Sequence, residues 1–373
     1  MLFPYKNRYF DNNYLHFSKQ DRFFSILLAL FILALPFTAL LPHGRVFLLL
    51  SLFLFLYAAW RTGYRLPPPD AEKTLLSCFF ATVAAGLFKA GAFLPTVCAL
   101  SWLFAALLSS LLRVREAQIS RLLTLLGACL GGVALWETAC GKAAALWSDA
   151  SRFGALNRAA LPFGNPNLLG AFLAPCAVLA LGELFRARTK LLPSLCLALS
   201  LSGLMLTYSR GAWLGFLAGA LLVLFPILRR KTPKALALLP FSSVLKRFAS
   251  ILSPDSSVCY RFSLWRSVGR VSPPRLLCGV GEGKEALYAL LSPYMAAGLE
   301  KVEHTHSLYL HLLTAEGLLG LAFFLAFLFL FFKRHRASAI SGALLSLLVF
   351  GIFDDPLYSG QIGVLFWLLV NVR

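Results

Sequence analysis

The 373 residues are 59% hydrophobic and only 14% charged, with a mean hydropathy of +0.75. Soluble domains carry about 25% charged and about 45–50% apolar residues, so these proportions exclude a water-soluble globule. The charges that remain are lopsided, 35 Lys and Arg against 16 Asp and Glu for a formal net charge of +19, a surplus that in a soluble chain would point to nucleic acid.

A membrane-spanning helix needs about 20 mostly apolar residues. In chain order, the charge-free runs are 23–42, 46–60, 74–88, 90–112, 122–136, 159–182, 191–209, 211–228, 317–332, 337–353 and 356–372. The stretch 235–245 is short and contains Pro240; it counts as a further span because the alternation of sides requires one. The first run is longer than the roughly 7–15 residues of a signal-peptide core, and no A-x-A site follows it, so it reads as a span. Apolar residues run all round each segment rather than in a stripe, as expected of helices that face lipid and one another. The expected fold class is therefore all-α: a polytopic integral membrane protein of roughly twelve transmembrane helices. One domain covers residues 1–373, with a long extracytoplasmic loop at 246–305.

Orientation follows from Lys and Arg in short loops. With the N-terminus in the cytoplasm, 21 of the 35 basic residues fall on that side, and both termini are expected there. The short outer turns hold only Arg45 and Lys89. The other basic residues of the outer face are concentrated. Lys142, Arg152 and Arg158 precede the sixth run, and Arg210 lies between the seventh and eighth. Lys246, Arg247, Arg261, Arg266, Arg270, Arg275, Lys284 and Lys301 occupy the long loop. Long loops escape the topology rule, so this basicity has one of two meanings. It attracts anionic headgroups, or it forms a site where Arg forks grip phosphate oxygens.

Two constellations carry chemistry. Arg210 stands in Thr207-Tyr208-Ser209-Arg210-Gly211-Ala212-Trp213, between two long apolar helices. An ionisable residue there is a functional candidate by default, and snorkelling to headgroups is the bland alternative. Glu303-His304-Thr305-His306-Ser307-Leu308-Tyr309 is expected to open a helix continuing to Phe332. An imidazole exchanges protons near neutral pH without large tuning. Zinc would need third and fourth ligands that the sequence pattern does not supply, and helix capping is the structural alternative. Gly279-Val280-Gly281-Glu282-Gly283-Lys284 has neither the preceding strand nor the spacing of a phosphate loop and reads as a turn after Pro273-Pro274. Among eight cysteines there is no C-x-x-C pattern. Cys259 and Cys278 share the outer loop and could pair in an oxidising compartment.

Several of these residues fall in motifs that resemble the O-antigen ligase and polymerase family. They are Phe163-Gly164-Asn165-Pro166-Asn167, Tyr208-Ser209-Arg210-Gly211-Ala212 and Tyr260-Arg261-Phe262-Ser263-Leu264-Trp265. Leu277-Cys278-Gly279-Val280-Gly281 follows, then His304-Thr305-His306-Ser307-Leu308-Tyr309-Leu310-His311 and Ala315-Glu316-Gly317. The ordered set covers roughly residues 160–335; many family members carry Asn where this chain has Ser307. The resemblance implies a C-type glycosyltransferase architecture and transfer of a glycan from an undecaprenyl-diphosphate carrier to an acceptor hydroxyl. It further implies a lipid or glycan acceptor and a reaction at the outer face of the cytoplasmic membrane without a metal or other cofactor. It maps two functional arginines onto Arg210 and Arg261, and a functional histidine onto His306, with His304 second. Arg266, Asn165 and Asn167 join Arg210, Arg261 and His304 as substrate-binding candidates; Glu303 and Glu316 are weaker candidate bases. The expected partners are the lipid-linked glycan, its acceptor and membrane lipids, with no nucleic acid.

Three alternatives stay open. A repeat-unit polymerase and a protein O-oligosaccharyltransferase use the same donor. A transporter or flippase of lipid-linked sugars also needs a basic cavity, though transporters usually show internal repeats and none is visible here.

Overall fold

The structure is a computed structural model. It describes residues 29–40, 70–90, 116–141, 158–228, 256–295, 302, 304–335 and 338–370, with scattered residues between 52 and 107. The expected short span at 235–245, and Lys142, Arg152, Lys246, Arg247, Lys301 and Glu303, lie outside the described residues.

Every α or 3-10 element among the described residues is helical, with no strand. The α-helices are α1 (Ala71–Ala90), α2 (Glu116–Ala139), α3 (Pro166–Arg186), α4 (Leu191–Leu206), α5 (Arg210–Leu228), α6 (Ser256–Val268), α7 (Pro273–Cys278), α8 (Lys284–Leu291), α9 (Leu308–Ala315), α10 (Gly317–Arg334), α11 (Ala339–Phe350) and α12 (Gly360–Val370). Four of these, α1, α2, α3 and α10, are long and apolar enough to cross a membrane; α4, α5, α11 and α12 are shorter apolar helices. With this composition the chain is an integral membrane protein.

The central element is α3. It contacts α2, α4, α5 and α11, and almost every residue from Leu169 to Ala180 is buried. Its start is dictated locally. Gly164 takes φ +65, extended Asn165 caps the helix by accepting the Asn167 N–H, and Pro166 supplies the first turn, where its missing N–H costs nothing. Neighbouring helices approach through small residues. A Cβ on Gly219 would lie 2.3 Å from the Gly342 carbonyl oxygen, and one on Gly131 2.1 Å from that of Leu199. In lipid, where the hydrophobic effect between helices is weak, such close backbone contact holds the bundle together. Phe79, Phe324, Phe366 and Trp367 fill the seam between α1, α10 and α12.

Residues 256–295 are folded rather than extended. Leu264, Val268, Val271, Leu287, Leu290 and Leu291 form a small core of their own. It is pinned to the bundle where Val280 and Gly281 donate to the carbonyls of Thr314 and Ala315 at 2.9 and 3.0 Å. Gly279 (φ +65) and Gly317 (φ +77) face each other there, and a Cβ on either would strike the opposing backbone at 2.2 or 2.4 Å. This contact also breaks the helix expected to run from the His304 motif to Phe332. The chain turns at Glu316–Gly317, leaving short α9 separate from spanning α10. The Gly279-containing turn is thus a docking element, consistent with the turn expected from the sequence.

The helix ends sort into two groups. Asp70 and Glu72 at the start of α1 meet Arg334 at the end of α10, and Glu116 and Arg121 of α2 meet Arg186 and Glu183 of α3. At the opposite end lie Lys89, the last turn of α2, the α4–α5 junction, the segment 256–295 and the turn after α11. The described helices thus run between these two ends.

Candidate active site

Five segments converge at that second end. Arg158 is placed by its neighbours. The Ala159 N–H donates to the Leu206 carbonyl at 3.0 Å. The N–H groups of Ala160 and Leu161 donate to Glu137 Oε2 at 3.1 and 3.0 Å. From there the Arg158 guanidinium donates to the Thr207 carbonyl at 2.7 Å and to Asn167 Oδ1 at 2.9 Å. Asn167 in turn donates to Asp354 Oδ2 at 3.2 Å.

Arg210 opens α5. Ser209 precedes it and accepts the Trp213 N–H at 3.0 Å, while the Trp213 indole and the Thr207 hydroxyl both close on the Leu204 carbonyl. Tyr208 adopts φ 50, a left-handed conformation that is uncommon for a bulky residue and costs of order 1–3 kcal/mol. A cation at a helix N-terminus opposes the macrodipole. Arginine and a helix N-terminus at the same point together attract an anion.

Arg261 lies on the inward side of α6, its guanidinium 3.8 Å from Asp354 Oδ2. Arg266, five residues on and about 140° round the helix, is exposed. Arg158 sits within the fields of both Arg261 and Arg210. Burial above all, and then those two positive charges, push its pKa down to about 10, while Asp354 opposes them.

The histidines are fixed by backbone ties. The Trp265 indole donates to the Thr305 carbonyl at 3.0 Å, and the Leu308 N–H reaches the carbonyls of Gly351 and Asp354 at 2.8 and 3.1 Å. Ser307 is extended at the cap position of α9 and makes no side-chain cap. His306 is the second non-glycine residue with positive φ among the described residues, at 51. Its Nδ1 lies 3.4 Å from Asp354 Oδ1, and its ring packs edge-on against Tyr260 and His304. Burial, followed by the charge of His306, lowers the pKa of His304 and favours its neutral form. Burial works against a charged Asp354, but the His306 hydrogen bond and the Arg261 charge outweigh it and hold the carboxyl below the usual carboxylate range.

The structure thus brings together Arg210, Arg261, His304, His306 and Asn167. Asn165 is exposed and its side-chain oxygen caps α3; Arg266 points away from the cluster. Two members were not selected from the sequence. Arg158 sits among other loop charges with no motif of its own. Asp354, together with Asp355, is the only acidic residue after Glu316, and an acid between two apolar runs was the available signal. His304, His306 and Asp354 each offer a ligand atom within 4.8 Å of one another, so the third metal-ligand type missing from the sequence pattern is present in space. Cys259 and Cys278 are both exposed free thiols.

Three guanidiniums, a helix N-terminus and a histidine–carboxylate pair thus gather at one end of the helical bundle, groups of the kind that bind anions. Residues 195–325, roughly a third of the chain, match the family model described as O-Antigen ligase. That stretch is similar to the O-antigen ligase family. No curated protein matches the chain. The matched stretch runs from α4 into α10 and contains Arg210, Arg261, His304 and His306; Arg158, Asn167 and Asp354 lie outside it.

Proposed function

We propose that the chain transfers a glycan from an undecaprenyl-diphosphate-linked donor to an acceptor hydroxyl at the outer face of the bacterial cytoplasmic membrane. In this reading the bundle is one domain of about twelve spans with both termini cytoplasmic. The observation that carries the proposal is the convergence of Arg158, Arg210 and Arg261 on the His306–Asp354 pair.

The donor's leaving group is a diphosphate. As the anomeric C–O bond breaks, its electrons pass to that group, and fixed cations aimed at the developing charge stabilise it. Arg210 and Arg261 hold the diphosphate, with Arg158 behind them. The acceptor oxygen forms the new bond to the anomeric carbon, and its proton passes to His306. With Nδ1–H directed at Asp354, the Nε2 lone pair of His306 is free for that proton, the tautomer logic of histidine–carboxylate pairs.

The same His304–His306–Asp354 group could ligate a metal, but three guanidiniums beside it oppose a divalent cation. Transfer is therefore expected to persist in EDTA, and its loss on chelation would assign a metal to that group.

The direct test is transfer by the full chain in proteoliposomes from a defined undecaprenyl-diphosphate oligosaccharide. Activity that survives Arg210→Ala at saturating acceptor would overturn the charge-neutralising role. Ligase, polymerase and protein-glycosylating readings share this donor chemistry and differ in acceptor. A deletion strain separates the first two: long lipid-linked chains left unattached indicate a ligase, single unpolymerised repeat units a polymerase.

A further inference from the structure

Asp354 and Asp355 are neighbours in sequence and face different networks. Asp354 joins His306, Arg261 and Asn167, as described above. Asp355 Oδ2 lies 2.8 Å from His311 Nδ1, and His311 Nε2 lies 3.2 Å from Glu282 Oε2. Tyr358 donates its hydroxyl to Glu282 Oε1 and packs its ring at a tilt against His311, with centroids 3.9 Å apart. Glu282, His311 and Asp355 are all buried. They come from the outer-loop turn, from α9 and from the turn after α11, the three segments that must agree in position for the site to form.

A buried ion pair is weak evidence for stability, because desolvation consumes most of the Coulomb gain; what it can supply is a specified geometry. Burial works against a charged His311, but Asp355 and Glu282 outweigh it, and its pKa is pushed up to about 10. The imidazole is thus a fixed cation held between two carboxylates from separate segments. The shared backbone of residues 354 and 355 transmits that placement to the site, and Tyr358 locks the far side of the clamp.

We infer that His311 is a positioning residue, clamped between Asp355 and Glu282, which sets where Asp354 stands and hence how Asp354 orients His306 and Arg261. Its catalytic consequence rests on the transferase reading above; its structural consequence does not.

The test uses the full chain in nanodiscs, with Asp355→Asn made in the wild-type and in the Asp354→Asn background. Acting through Asp354, Asp355→Asn should lower kcat about tenfold in the wild type, with donor KM moved less than about threefold, and should cost less than about twofold once Asp354 is already Asn. An equal loss in both backgrounds, or no loss in a folded protein, overturns the inference. Hydrogen exchange supplies a readout independent of activity. Peptides covering 304–310 should exchange faster in Asp355→Asn while those of α3 do not, and unchanged exchange at 304–310 overturns the clamp. If the wild-type chain transfers no glycan, the transferase reading fails and the exchange result alone decides the clamp. Should Asp355→Asn not fold, Tyr358→Phe removes only the hydroxyl on Glu282 and is judged by the same readouts.

Discussion

The two ends of this bundle use charge in opposite ways. At one end Arg186 meets Glu116 and Arg334 meets Glu72, with the arginine side chains 41% and 53% exposed. These are surface pairs, opposite in sign, wetted, and worth about 0–1 kcal/mol each. At the other end, like charges are gathered. Arg158, Arg210 and Arg261 share one small volume beside Asp354. Crowding like charges opposes folding, and the diphosphate donor proposed above would offset it. A pairing of opposite charges anchors helix ends, whereas a cluster of like charges marks a site.

Variants at the two ends should separate these uses. His306→Ala should cause the largest loss, about 10²–10⁴ in transfer rate, if it carries the acceptor proton; initial rates in proteoliposomes measure it. Arg210→Ala should lower kcat by about 10²–10³, in the range for removing one group that stabilises developing charge. Arg158→Lys keeps the charge but loses the fork joining Thr207 and Asn167, and should cost about tenfold. Arg334→Ala, at the other end, should leave transfer unchanged and shift stability by no more than about 1 kcal/mol. A large effect of Arg334→Ala on transfer would dissolve the distinction between the ends.

A pH prediction bears on the same end. The folded-state pKa of His311 is raised from 6.5 to about 10. Its contribution to stability is therefore complete below pH 6.5 and is lost as pH rises through about 10. Thermal unfolding in detergent should show that alkaline loss, and His311→Gln should flatten it.

Much of this was legible in the sequence, for physical reasons that can be named. Membrane residence follows from composition, because it depends on local totals. Arg210, Arg261 and His306 stood in recognisable motifs. Asp354 and Arg158 did not, because their meaning lies in contacts such as Asn167 to Asp354, which spans 187 positions. The helix break at Gly317 was invisible because the apolar run continues through it, and only the opposing Gly279 backbone makes it necessary. Glu282 read as a loop charge, and nothing near it in sequence announces that His311 and Tyr358 enclose it.

The long separation between Asn167 and Asp354 also sets a timetable. At about 5–20 residues per second of synthesis, about 10–40 s pass between the emergence of these two partners. Arg158 is already in the chain when that interval begins, and Arg210 and then Arg261 join it before Asp354 is made. The nascent protein must keep them hydrated or leaning on lipid phosphates until α11 is inserted and the turn behind it swings Asp354 into position. The site is thus among the last parts of the described chain to close, and a ribosome that stalls before residue 354 leaves a basic membrane fragment incapable of the chemistry.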